Sequence, residues 1–263
     1  MRKEPDRVFP DVGQAQVNNR LLRSLPERDI QLIKPFLERI SLRRGQVLQE
    51  RDRPLESAYF IEKGAASLFL RTRRDGLVGV AIVARYGLVG LPAVLGTRRS
   101  PHRCMVQIAG EALRIRSFDL HAAMTISPPL RQALDRYIQA LMVQHAQIVL
   151  CVSRHTLEER LAAWLLTISD RIESEKIFIT HDLVSHMLGV RRPSVTEAIG
   201  SLEAGGAVTK GRGRILIADR AKLKRRSCEC YENMRSEYVG LIDAPTGPSS
   251  TRRPRNIRSM ALD

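Results

Sequence analysis

Residues 180–203 read THDLVSHMLGVRRPSVTEAIGSLE. Their spacing predicts two short helices around a tight turn. Thr180 can N-cap the first helix, its side-chain oxygen accepting a bond from an otherwise orphan backbone N–H. Leu183, Val184, Met187 and Leu188 give that helix one apolar face. Gly189 falls where the helix must stop and turn, because glycine adopts positive φ at little cost. Pro193 lies in the first turn of the second helix, where its missing N–H removes no intrahelical bond. Val195, Ile199 and Leu202 return at helical spacing to pack on the first helix. Small Ser185 stands four residues before the glycine and apolar Val195 six after it, as a close helix crossing requires. This is a helix-turn-helix pattern. Around Pro193 its second helix turns Arg191, Arg192, Ser194, Thr196 and Glu197 outward, residue types that reach phosphates and base edges in a major groove. An ordinary helical hairpin with a solvated basic turn is the competing reading.

The residues just after the motif favour nucleic acid. Gly205-Gly206 stops the second helix, and Ala207–Lys210 and Arg214–Ile217 read as two strands joined by Gly211-Arg212-Gly213. Such a basic hairpin is the wing of a winged helix, with Lys210, Arg212 and Arg214 as candidate phosphate contacts. The chain has 263 residues with 43 Lys+Arg against 28 Asp+Glu, a net charge of +15. Residues 176–226 hold 11 of the basic and 4 of the acidic groups, a net +7, so nearly half the excess surrounds this motif. Clustered positive charge is the footprint of an anionic partner, here double-stranded DNA.

Before residue 180 the chain changes period twice. Residues 1–19 are polar and expected to be flexible, and short helices follow at 19–25 and 27–37. From Ile40, apolar runs of two to six residues recur at 47–48, 58–61, 66–70, 78–83, 105–108 and 112–115. Turn residues such as Lys63-Gly64, Asp75-Gly76 and Gly110 separate them, which predicts an antiparallel barrel or roll. Asp75-Gly76 is the strongest hairpin signal, since a type I′ turn wants positive φ at both central positions. A long helix is expected from Pro129 to Val152. Its Leu134, Ile138, Leu141, His145, Ile148 and Val152 alternate in steps of four and three, a coiled-coil seam that predicts a homodimer. Thr156 and Glu159 form a capping box that opens the next helix, with Leu157, Leu161, Trp164, Leu165 and Ile168 on its buried face. A last helix is expected over 220–241, then a Pro/Ser/Arg-rich tail expected to be disordered.

The fold class is therefore α+β: an N-terminal antiparallel β-roll of jelly-roll type, a long dimerisation helix and a C-terminal winged helix-turn-helix. The expected divisions are 1–19, 20–127, 128–153, 154–242 and a basic tail at 243–263. No signal peptide or membrane span is expected, which points to the cytoplasm and to no membrane partner. The cysteines, Cys104, Cys151, Cys228 and Cys230, fit neither a disulfide framework nor a CxxC pair. With Cys228 and Cys230 on one helix about 200° apart, no shared ion and no metal site is expected.

This order of parts resembles the Crp–Fnr superfamily of bacterial transcription regulators. The likeness spans about residues 20–240 and is carried by YGLVGLP at 86–92, HTLEERLAAWLL at 155–166 and MLGVRRPSVT at 187–196. It implies a homodimer on a palindromic operator, acting with RNA polymerase. In relatives that bind cyclic AMP, a Gly-Glu pair holds the ribose and an Arg-Ser pair the cyclic phosphate. Here the matching positions are Gly90-Leu91 and Arg103-Cys104, a candidate effector pocket in which Leu91 cannot accept a bond from ribose. Neither cyclic AMP nor haem is expected as cofactor. The oxygen-sensing branch resembles an N-terminal cysteine cluster holding iron–sulfur, and no cysteine precedes Cys104 here. On the recognition helix Arg192 is retained, while Pro193 and Glu197 stand where the cyclic-AMP branch has Glu and Arg. The operator is expected to differ accordingly.

Two other classes remain open on the sequence. One is an effector-binding module whose helix-turn-helix serves protein contacts or nonspecific DNA binding. The other is an enzyme, disfavoured because the six histidines form no HExxH pair and neither a P-loop nor a GxSxG motif is present. The basic loop 98–103 is a possible anion site, with a solvated hairpin loop as its plainer reading.

Overall fold

The structure, a computed structural model, describes residues 17–73, 76–97 and 99–242. Its elements in chain order are α1 (Arg20–Arg23), α2 (Glu27–Ile33), a 3₁₀ turn (Lys34–Phe36), β1 (Glu38–Leu42), β2 (Val47–Gln49), β3 (Ser57–Arg71), β4 (Leu77–Val83), β5 (Leu88–Val89), α3 (Leu91–Val94), β6 (Arg103–Arg116), α4 (Ser117–Ile126) and α5 (Pro128–Arg154). Then come α6 (Leu157–Ile172), β7 (Lys176–Ile177), α7 (His181–Leu188), α8 (Arg192–Ala204), β8 (Val208–Gly211), β9 (Arg214–Ile217), α9 (Arg220–Arg226) and α10 (Cys230–Ile242).

An antiparallel six-stranded sheet runs β1-β6-β3-β4, with β2 beside β6 and β5 beside β3. Period-two alternation sends neighbours on β3 to opposite faces. Phe60 joins Leu113 and Ile115 against a helical layer containing Leu21, Leu120, Leu134 and Tyr137. Ile61 faces a core to which all six strands contribute, through Leu42, Leu48, Ala66, Val83, Val89 and Val106 among others. The runs expected as separate strands at 58–61 and 66–70 are one strand, and so are 105–108 and 112–115. Lys63-Gly64 and Gly110 are not turns. They face each other across a β-bulge where the β3–β6 register shifts between Ile61 and Ala66. Gly64 has φ +78°, and a Cβ on Gly110 would collide with the Lys63 carbonyl. Glycine is needed at this bend because two backbones meet there. At the tip of the β3–β4 hairpin Asp75 lies outside the described residues; the ladder closes at Arg71 opposite Leu77. The polar lead ends earlier than expected. Asn19 is fully buried, caps α1, and donates to the carbonyls of Ile61 and Gly87.

Ser127 starts α5 by accepting from the Leu130 N–H while donating to buried Asp29. This helix carries two apolar stripes. Leu134 and Leu141, expected in an open seam, are buried with Tyr238 and Ile242 of α10. The stripe left open runs through half-buried Ile138 and exposed Met142, His145, Val149 and Val152. Periodicity alone does not separate the two, because a 27-residue helix can present a different face to each neighbour.

The core of the C-terminal region is continuous with the sheet: Ala65, Phe69, Ile82 and Ala84 pack among residues of α6 to α9. Gly79 of β4 lies directly against Met187 of α7. Arg171 is buried. Its guanidinium donates to the Ile82 carbonyl and to Gln144 of α5, and it lies 4.8 Å from the Tyr238 ring centroid. The last helix expected over 220–241 is two helices. Ser227 is extended, so Cys228 and Glu229 form a linker between α9 and α10. Residues 243–263, with the tail arginines, lie outside the described residues.

Candidate nucleic-acid interface

The helix-turn-helix forms from the interactions its spacing predicts. The Leu183 N–H donates to Thr180 Oγ1 at 3.2 Å, so the side chain of Thr180 is engaged as a cap. Gly189 ends α7 at φ +65°. Val195, Ile199 and Leu202 are fully buried in the shared core. Arg160 of α6 donates to the Leu188 carbonyl at 2.6 Å and so fixes the turn from behind. Sequence reasoning misses Arg160, because its partner is a backbone group 28 residues away.

The N-terminal end of α8 faces solvent. Arg191, Arg192, Pro193, Thr196 and Glu197 are exposed and Ser194 is half-buried. No side chain caps the first N–H groups of α8. Uncapped N–H groups and the helix dipole both favour an anion at this end. Arg192 Nε lies 3.5 Å from Asp182 Oδ1, and both groups are well exposed. Thr196 Oγ1 is 2.9 Å from His181 Nδ1 and donates to the Arg192 carbonyl.

β7, β9 and β8 form the wing's three-stranded sheet. Gly211 pairs with Arg214, leaving Arg212-Gly213 as the tip, with Gly213 at φ +68°. Arg212 and Arg214 are exposed. Lys210, expected to contact phosphate, pairs instead with Glu203 of α8 at 2.7 Å, and its backbone N–H donates to the same carboxylate at 3.0 Å. These bonds from Lys210 hold the Glu203 carboxyl below the usual carboxylate range. Lys210 therefore ties the wing to the recognition helix.

The candidate effector residues belong to different apolar clusters. Leu91 packs with the core that holds Leu55 and Ala58, whereas Cys104 is buried in the core between the strands. Arg103 pairs with Glu50 at 3.3 Å. In the basic loop, Arg98 lies outside the described residues and Ser100 is buried, its backbone carbonyl accepting from the Asp52 N–H. A cavity of 560 Å³ lies elsewhere, lined by Arg20, Tyr86, Asp170, Arg171, Arg220 and Tyr231 among others. There Tyr231 donates to Asp170 at 2.7 Å, and burial with this carboxylate pushes its hydroxyl up to about 12.

Three of the four cysteines meet at the end of α5. Cys151, Cys228 and Cys230 are buried, and His155 joins them from the C-cap of the helix. The two sulfurs of Cys151 and Cys228 are 3.6 Å apart. Their hydrogen bond lowers the Cys228 thiol below its ordinary value and raises that of Cys151. The expectation that Cys228 and Cys230 point apart fails because Cys228 precedes α10 and is not part of a helix.

Residues 159–226 match the family model of the Crp-like helix-turn-helix domain. The chain is 22% identical over 213 residues to the transcriptional regulatory protein btr of Bordetella pertussis, covering 76% of this chain and 86% of that one. Its fold is similar to that of FixK2 from Bradyrhizobium japonicum, with a TM-score of 0.64 at 19% identity over 73% of this chain and 98% of that one. It is also similar to the c-di-GMP responsive global regulator CLP of Xanthomonas campestris, with a TM-score of 0.62 at 12% identity over 74% of this chain and all of the other. Residues 159–226 thus match a Crp-like helix-turn-helix domain, carried on a fold similar to that of solved Crp/Fnr-type regulators.

Proposed function

We propose that the chain binds a palindromic DNA operator as a homodimer, reading bases with α8 and holding phosphates with the wing. The observation that carries this is the exposed cationic end of α8, Arg191 and Arg192, beside a wing whose Arg212 and Arg214 are exposed as well. Arg192 is the base reader, since a guanidinium can bond guanine O6 and N7 together. The stripe Ile138, Met142, His145, Val149 and Val152 is the dimer seam, its steps again alternating four and three. Two α8 helices then enter successive major grooves about 34 Å apart. Bound DNA brings the protein to RNA polymerase in the cytoplasm; among the described residues no helix is long and apolar enough to cross a membrane.

Cyclic AMP is not the effector in this reading. Leu91 offers ribose no acceptor, and Arg103 is already paired with Glu50. A calorimetric titration should show no binding at micromolar cyclic AMP; a micromolar isotherm would contradict it. For the DNA reading, labelled promoter DNA is competed with unrelated duplex at moderate salt. Specific regulation requires that the unrelated duplex compete much more weakly. Equal competition favours the nonspecific or protein-contact alternative.

A further inference from the structure

The tightest gathering of metal-ligating side chains among the described residues lies outside the DNA interface. Cys151 and His155 are four apart at the end of α5, which puts them on one side of its last turn. Cys228 comes from the α9–α10 linker and Cys230 opens α10. Their ligand atoms, three Sγ and one imidazole nitrogen, all lie within 4.8 Å of one another. Cys151 Sγ to Cys228 Sγ is 3.6 Å, and Cys230 Sγ to His155 Nδ1 is 3.4 Å. A tetrahedral zinc ion with Zn–S of about 2.3 Å and Zn–N of about 2.0 Å sets ligand edges of about 3.5–3.8 Å. The two measured edges are already close to that size. All four ligand atoms lie close enough together to surround one ion, whereas a multinuclear iron–sulfur cluster spreads its ligands over several irons.

The surroundings point the same way. His155 Nε2 lies 3.2 Å from Glu229 Oε1, an exposed carboxylate. A proton held on Nε2 by that carboxylate leaves Nδ1 with its lone pair facing the cysteines. Carboxylates commonly orient metal-bound histidines in this way. Gln147 Nε2 donates to Cys230 Sγ at 3.1 Å, a bond that supports charge on that sulfur. Cys230 is fully buried and Cys228 and Cys151 are nearly so. Buried thiols alone can be ordinary apolar packing, but an oriented imidazole and an amide donor aimed at a sulfur are not needed for packing.

We propose that Cys151, His155, Cys228 and Cys230 bind one zinc ion in a closed Cys3His site. All four positions are filled by protein, so the site is structural and leaves no coordination position for a substrate. Binding converts the three thiols to thiolates and releases their protons, with no change in oxidation state. The ion joins the end of α5 to the start of α10 at the junction His155–Thr156, where α5 gives way to α6. It thereby fixes the angle between the long helix and the helix-turn-helix.

The test is zinc content of the full chain, purified without a polyhistidine tag, together with the absorption spectrum after replacement by cobalt(II). One zinc per chain is expected, and cobalt should give intense visible d–d bands with thiolate charge-transfer bands in the near ultraviolet. Cys228→Ser and Cys230→Ser should lose stoichiometric zinc, while Cys104→Ala should keep it. Glu229→Gln should weaken zinc binding by about 10–100-fold. If the cysteine variants fail to fold, the cobalt spectrum of the unaltered chain still decides. Absence of zinc, iron with acid-labile sulfide in its place, or a Cys151–Cys228 disulfide in the native protein would each overturn the proposal. Chelation should also weaken operator binding, by about 5–150-fold if the coupling has ordinary size. That consequence rests on the DNA reading above. Metal content and spectrum involve no DNA, so the two readings fail separately.

Discussion

Arg192 and Arg212 are both exposed arginines, yet they sit on different parts and should fail differently. Arg192 opens α8 and is the proposed base reader. Arg192→Ala should cost about 1–3 kcal/mol at one base pair and relax the preference there. Arg212 is at the wing tip, and Arg212→Ala should weaken all duplexes alike and reduce the salt slope by about one. Anisotropy titrations at several salt concentrations, on matched and mismatched duplexes, separate the two. Equal, sequence-blind losses from both variants would remove the division of roles. At this scale the exposed residues are legible in the sequence, because helical phase and a glycine turn determine what faces outward. Lys210 is not, because the carboxylate that holds it sits seven residues back on a different element. The proposed zinc site is hidden as well, because it depends on a break in the chain at Ser227 that no local signal announces.

Between α5 and α6 the capping box of Thr156 and Glu159 is complete: the Glu159 N–H donates to Thr156 Oγ1, and the Thr156 N–H donates to the Glu159 carboxylate at 2.8 Å. The bonds from Thr156 hold the Glu159 carboxyl below the usual carboxylate range. A lowered folded-state value contributes stability above the unfolded value of about 4.3, and this is lost as pH falls through the folded value. Thr156→Ala should cost about 0.5–2 kcal/mol at neutral pH and should show a shallower loss of stability on acidification, read by thermal unfolding from neutral to acid pH. An acid limb unchanged from the parent would contradict this. The capping box is legible because both partners lie within four residues. The bulge at Gly64 and Gly110 is not: a glycine between apolar runs marks a turn or a bulge equally well, and only the opposing strand, some 46 residues away, chooses. The break between α9 and α10 has a similar origin. Leu223 is buried in the core of the helix-turn-helix and Tyr238 in the core along α5, so the two segments serve different cores.

In the whole molecule the order roll, long helix, winged helix-turn-helix is readable, because each part has its own period. The side of the long helix left for a partner is not, because Leu134 and Leu141 join a core completed by α10 only after the chain has folded back. The open stripe has Met142 and Val149 each 67% exposed and Val152 54% exposed. Met142→Glu combined with Val149→Glu should turn a dimer into a monomer by light scattering with little loss of fold, whereas charges at buried Leu134 or Leu141 should unfold the chain. A dimer that survives the Met142 and Val149 changes would place the seam elsewhere. The central claim, that two α8 helices read a two-fold DNA site, is tested most directly by selecting bound sequences from a random duplex pool. The expected product is an inverted repeat whose half-sites are about one helical turn, 10–10.5 base pairs, apart from centre to centre, with a guanine preference that disappears in Arg192→Ala. Enrichment of no motif, or of an asymmetric motif indifferent to Arg192, would contradict it.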